Sequence, residues 1–162
     1  MRIEQLMQKQ LGSVTAEQSL DDAARVMWEG DCGCVPVVSE DGSHRVVGML
    51  TDRDICMAAY TQGKSLREIR VRGAMSSDVR TCRPGDSIED VEAILRSAQV
   101  RRLPVVDDAD PLVGIVSLSD LARAAARCRK QKKPALDEAA VAETLAAICQ
   151  PREMGSPVAA GI

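Results

Sequence analysis

Thr51 and Asp54 stand three residues apart, and so do Ser117 and Asp120. Each pair follows a short apolar run opened by glycine, Gly48-Met49-Leu50 in one case and Gly114-Ile115-Val116 in the other. A hydroxyl followed three residues later by a carboxylate fits two kinds of chemistry. The first is structural: a capping box, in which the two side chains satisfy orphan amides at a helix N-terminus. The second is ligand binding. Helix-start amides and their partial positive charge suit a phosphate, and a hydroxyl there can donate to a phosphate oxygen. A carboxylate one turn further on can accept two hydrogen bonds from the vicinal hydroxyls of a ribose. Arg53, beside the first pair, supplies a cation for further phosphates. Hydroxyl, carboxylate, helix dipole and arginine together describe a nucleotide site better than a cap alone.

The elements that must position these residues are written twice. Ser19-Leu20-Asp21-Asp22 reappears as Ser87-Ile88-Glu89-Asp90, and Pro36-Val37-Val38 as Pro104-Val105-Val106, both shifted by 68 positions. The glycine, hydroxyl and aspartate positions are shifted by 66, so one two-residue gap reconciles the halves. Duplication at this length points to two supersecondary units sharing a core, with clefts between them. Hydrophobic periodicity and turn signals predict, in the first copy, a lead-in helix at 3–8 and a helix from Leu20 ended by Gly30. Strands follow at 35–38 and 45–50 around an Asp41-Gly42 turn, then a helix at 52–60. Ser65 with Glu68 caps a connecting turn, and 71–75 leads into the second copy. That copy repeats the order: a strand at 79–82, a helix at 88–98, strands at 103–106 and 112–116, and a helix at 118–126. The expectation is an α+β (mixed α/β) fold of two pseudo-symmetric β-α-β-β-α units packed sheet to sheet. The divisions fall at 1–62, 63–126, a basic segment with an Ala-rich C-terminal helix at 127–150, and a frayed tail at 151–162. Arg127, Arg129, Lys130, Lys132 and Lys133 read as a solvated helix end ended by Pro134, and 135–149 as a helix with one apolar stripe.

Composition narrows the function classes. A net charge of −3 gives no global pull toward nucleic acid or anionic membranes. No apolar run approaches a membrane span, and the N-terminus does not read as a signal peptide, so a soluble cytoplasmic protein is expected. The six cysteines, none in a Cys-x-x-Cys pair, read as reduced, buried small apolar residues. The one histidine, His44, sits in a polar turn, which leaves little material for a zinc or His-based catalytic site. Phe is absent, and Trp28 and Tyr60 are the only aromatics, so stacking platforms for single strands are missing. No nucleophile–base pair or phosphate-gripping Gly loop is seen, and the chain is expected not to be an enzyme.

The ordered, duplicated set of Ser-[Leu/Ile]-x-Asp, Pro-Val-Val and Gly-x-x-[Thr/Ser]-x-x-Asp closely resembles a tandem CBS (cystathionine beta-synthase) domain pair, or Bateman module, over roughly residues 1–126. The resemblance implies a non-catalytic regulatory module that needs no cofactor. Its regulatory ligand would be an adenine nucleotide (AMP, ADP or ATP), or less readily S-adenosylmethionine or NAD, held in two clefts between the units. Carried onto this chain, the first site combines Thr51, Arg53 and Asp54 with Thr81, Arg101 and Arg102. The second, weaker site combines Ser117 and Asp120 with Ser13, Gly33 and Cys34. Three arginines favour the first site for a phosphate-bearing ligand. Adenine would lie among Met49, Leu50, Val79 and Leu103. The resemblance also implies a homodimer, with the helices at 118–126 and 135–149 as contact faces, and an unidentified regulated protein as partner. Two alternatives stay open: a ligand-free structural adaptor, and a redox sensor built on Cys32 and Cys34.

Overall fold

The computed structural model describes residues 1–9, 12–130 and 136–151. Four of its helices start on the same chemistry. Ser19 Oγ accepts from the Asp22 amide at 3.2 Å and Asp22 accepts from the Ser19 amide at 3.1 Å, opening α1 (Leu20–Glu29). Thr51 and Asp54 open α2 (Asp52–Gln62), Ser87 and Asp90 open α3 (Ile88–Ala98), and Ser117 and Asp120 open α4 (Leu118–Lys130). α2 stops at Gly63, whose φ of 61° is left-handed and costs a side chain dearly. α4 runs beyond the expected 126, so Arg127, Arg129 and Lys130 belong to its last turns. Lys132, Lys133, Pro134 and the tail from 152 lie outside the described residues.

Between the helices lie two small sheets. β1 (Val14–Thr15) pairs in parallel with β2 (Cys34–Val38), which pairs antiparallel with β3 (Val46–Thr51). In the second unit β4 (Arg102–Val106) pairs antiparallel with β5 (Leu112–Ser117). The strand expected at 79–82 shrinks to a single parallel bridge, Cys82 to Val105, the counterpart of the two-residue β1. The architecture is the expected mixed α/β pair of repeats with a C-terminal helix. Each repeat has its own apolar core, and the hairpin turns meet where the Leu112 amide donates to the His44 carbonyl at 2.9 Å.

The lead-in segments are exchanged. The helix expected at 3–8 is one 3-10 turn, Ile3–Gln5, and its counterpart 68 positions on is the turn Val71–Gly73. Ile3 is fully buried in the second repeat's core with Leu95, Leu103 and Leu121, while Val71 is fully buried in the first repeat's core with Leu20, Val37 and Leu50. Each lead-in thus packs on the other repeat, and a division of the chain at 62/63 cuts across both cores. Beyond its turn each lead-in adds one antiparallel bridge to the other hairpin: Gln8 to Ile115, and Ser76 to Met49. This explains the motif glycines. A Cβ on Gly48 would meet Met75 Sδ at 2.7 Å and the Ser76 carbonyl at 3.1 Å; one on Gly114 would meet Met7 Sδ at 2.9 Å and the Gln8 carbonyl at 3.0 Å.

α5 (Glu138–Ile148), capped by Asp137, lies on α3 and α4 and buries Val141 and Ile148 in the second core. Thr144, fully buried, accepts from Arg96 at 2.8 Å and donates to the buried Glu92 at 3.4 Å. The helices proposed from sequence as dimer faces are therefore packed against each other.

Two stability measurements follow from this packing. Gly48→Ala should lower unfolding free energy by about 1–3 kcal/mol through overpacking against the Ser76 carbonyl; an unchanged urea midpoint would mean the exchanged lead-in is not tightly held. Burial pushes the Glu92 carboxyl above its ordinary range, with Arg96 partly offsetting it. A raised folded-state value favours the protonated form on folding, so this group's contribution declines as pH rises through that value. Glu92→Gln should flatten the corresponding fall in melting temperature as pH rises above the ordinary glutamate range; an identical profile in the variant would contradict it.

Candidate functional site: a cleft between the repeats

The antiparallel register of β2 and β3 sets Cys34 opposite Thr51, and the Asp52 amide donates to the Gly33 carbonyl at 3.1 Å. The start of β4 lies nearby, with the Arg102 guanidinium close to the Cys34 thiol. Between them opens a cleft of about 880 Å³. Thr51, Arg53 and Asp54 line it from the first repeat, and Arg101, Arg102, Leu103 and Pro104 from the second. The segment that joins the repeats contributes Ser76, Asp78, Val79 and Arg80.

The placement differs from the sequence expectation in four respects. Thr81 is half-buried but is not part of the lining; its neighbour Cys82, 3% exposed, is bridged to Val105 and turned into the second core. Gly33 and Cys34, expected with Ser117 and Asp120, line this cleft beside Thr51, because the hairpin register of their own repeat holds them there. Ser13 is half-buried next to β1 and is not in the lining. Among the residues assigned to adenine, Met49, Val79 and Leu103 line the cleft, whereas Leu50 is fully buried in the first core. Ser76 and Arg80 were missed. The signal for Ser76 was present: Met75-Ser76 stands 68 positions after Met7-Gln8.

Capping and ligand chemistry are not exclusive here, since a carboxylate has two oxygens. Oδ2 of Asp54 accepts from the Thr51 amide at 2.9 Å and from Thr51 Oγ1 at 2.7 Å. The hydroxyl proton of Thr51 is thus committed to the cap and is not offered to a phosphate. Among the described residues Oδ1 of Asp54 has no hydrogen-bond partner. Asp120 caps in the same way through Oδ2, accepting from the Ser117 amide at 2.9 Å. Its Oδ1, however, accepts from Gln8 Nε2 at 3.1 Å and from Arg123, and the residue is 5% exposed.

The cations tell the two acids apart as well. Arg53, Arg101 and Arg102 make no ion pair with any described residue, and Arg80 makes only a long exposed one with Asp78 at 3.7 Å. Asp52 and Asp78 line the cleft as well, but arginines of one cleft that make no ion pair suit a phosphate-bearing ligand.

The cysteines divide evenly by exposure. Cys34, Cys82 and Cys128 are buried as expected, but Cys32, Cys56 and Cys149 are exposed, because a helix surface or loop gives them no core to enter. Burial pushes the Cys34 thiol up despite Arg102, and raises Cys82 to about 12. Thiolate being the reactive form, brief alkylation at neutral pH should label Cys32, Cys56 and Cys149 and spare Cys34 and Cys82 until the protein unfolds. Mass spectrometry showing Cys34 modified as fast as Cys32 would revive the thiol-sensor alternative.

Comparison with known proteins bears on the repeats and the fold. The family model for the CBS domain matches residues 3–60 and again 66–127. CBS domain-containing protein YhcV of Bacillus subtilis (strain 168) is 38% identical over 120 residues, which is 74% of this chain and 82% of that protein. The crystal structure of a conserved CBS domain protein of unknown function from Thermoplasma acidophilum superposes with a TM-score of 0.73 at 27% identity, covering 91% of this chain and 75% of that one. The CBS domain pair of protein MJ0100, solved in complex with 5′-methylthioadenosine and S-adenosyl-L-methionine, gives a TM-score of 0.64 at 25% identity over 82% of this chain and 98% of its own. Two matched copies, their order and their junction segments together place the chain in the CBS domain family, as a tandem pair.

Proposed function

We propose that this CBS pair binds an adenosine-containing ligand in the cleft at Thr51–Asp54 and acts as a non-catalytic regulatory module. The observation that carries the reading is Oδ1 of Asp54, which has no partner among the described residues, set in a cleft with three arginines that have no carboxylate partner among them either. A ribose diol would donate to Asp54, phosphates would meet Arg53, Arg101 and Arg102, since the first amides of α2 are taken up by the Gly33 carbonyl, Asp52 and Thr51, and the base would lie among Met49, Val79 and Leu103. The adenosine-bearing ligands of the MJ0100 complex support the class of ligand. AMP, ADP or ATP suits the arginines better than a ligand without phosphate.

Because the lining comes from both repeats, a bound ligand would link them and favour one arrangement of the pair, altering the surface offered to a partner. A homodimer would find exposed aromatic surface on α1 and α2, where Trp28 and Tyr60 are 88% and 81% exposed.

Isothermal titration with AMP, ADP, ATP, S-adenosylmethionine and NAD tests the reading. Asp54→Ala removes charge-assisted hydrogen bonds worth roughly 1.5–3 kcal/mol, so affinity should fall about tenfold to a hundredfold with unchanged helical circular dichroism. Unchanged affinity in that variant would sink the assignment. Absence of heat from every compound, in protein free of co-purified nucleotide, would leave the adaptor reading.

A further inference from the structure

The two repeats superimpose their acids but not the surroundings of those acids. Met75-Ser76 and Met7-Gln8 are equivalent by every local test. Both methionines lie against the motif glycine of the other hairpin, and both following residues form a two-bond antiparallel bridge, Ser76 with Met49 and Gln8 with Ile115. At this position one repeat receives a serine and the other a glutamine. Gln8 is long enough to reach Asp120, and its Nε2 donates to Oδ1 at 3.1 Å. Ser76, at the matching place beside Asp54, makes no such bond, and it lines the open cleft.

A second difference acts on the same oxygen. Arg123, one turn along α4, pairs with Oδ1 of Asp120, whereas the matching residue one turn along α2 is Met57. The oxygen left without a partner in Asp54 therefore has two donors in Asp120, and Asp120 is buried under them.

We propose that Gln8 and Arg123 form a built-in plug: the N-terminal lead-in, delivered onto the second repeat, occupies the carboxylate oxygen that a diol would need, and limits the chain to one adenosine-containing ligand. The inference rests on the reading of Asp54 given above. It assigns a specificity role to two residues outside the open cleft. The plug is held by one charge-assisted bond and one ion pair, both of which a ligand would have to displace at a buried site.

Adenosine and AMP titrated into the wild-type protein should give one site per chain, weakened about tenfold to a hundredfold by Asp54→Ala. Gln8→Ser with Arg123→Met copies the first repeat's own residues into the second and should raise the adenosine stoichiometry to two. Adding Asp120→Ala should return it to one. Gln8→Ala with Arg123→Ala removes the same donors differently and must also give two, which guards against one variant failing to fold; thermal melts identify that case. Two sites in the wild type, or one site in both folded double variants, would overturn the plug while leaving the Asp54 reading intact. No binding to wild type or variants would overturn both.

Discussion

Each hairpin of this protein is completed by a segment that belongs, in sequence, to the other repeat. Ile3 fills the second core and Val71 the first, each fully buried and worth about 1.5–3 kcal/mol of apolar transfer. Because the exchange is reciprocal, neither core closes without the other repeat's lead-in. The same exchange fixes the motif glycines, since the lead-in methionine and the carbonyl after it pass where a Cβ would stand. It also brings the residues following each lead-in to the start of the opposite helix. In the first repeat these residues, from Ser76 to Arg80, become a wall of the cleft.

From that frame the difference between the two acids follows. All four repeat helices carry a hydroxyl–aspartate cap, so the cap alone says nothing about ligands. What separates Asp54 from Asp120 is the use of the remaining oxygen and the local balance of charge. Asp120 is neutralised by Arg123 and covered by Gln8. Among the described residues Asp54 keeps an oxygen free while Arg53, Arg101 and Arg102 have no acidic partners. Arginines without an ion pair inside a cleft are where an anionic ligand gains most, because its own charge completes the pairing.

α5 breaks the pseudo-symmetry on the helical face. In the second repeat Glu92, Arg96 and Thr144 form a small polar contact beneath it, in which each buried group has a partner. At the positions matching Glu92 and Arg96, the first repeat has Ala24 and the exposed Trp28. The two halves therefore share a backbone plan while presenting different outer surfaces.

The duplication, the helix starts and most strands were legible in the sequence because they rest on local chemistry. Caps, turn residues and apolar periodicity act within a few residues, and Ile88–Ala98 was located to the residue for that reason. The grouping of Thr51, Arg53, Asp54, Arg101 and Arg102 was also legible, since duplication implies a cleft between halves. Three features were not. That Gly33 and Cys34 line the cleft of Asp54 was not visible, because cross-strand register, not sequence distance, decides which side chains meet. The weakness of the 79–82 segment as a strand depends on how little of the sheet edge it reaches. Above all, nothing in residues 1–8 shows which repeat they join. Tertiary packing decided that, because Ile3 can be buried only where the second core is open, and that docking carries Gln8 to Asp120.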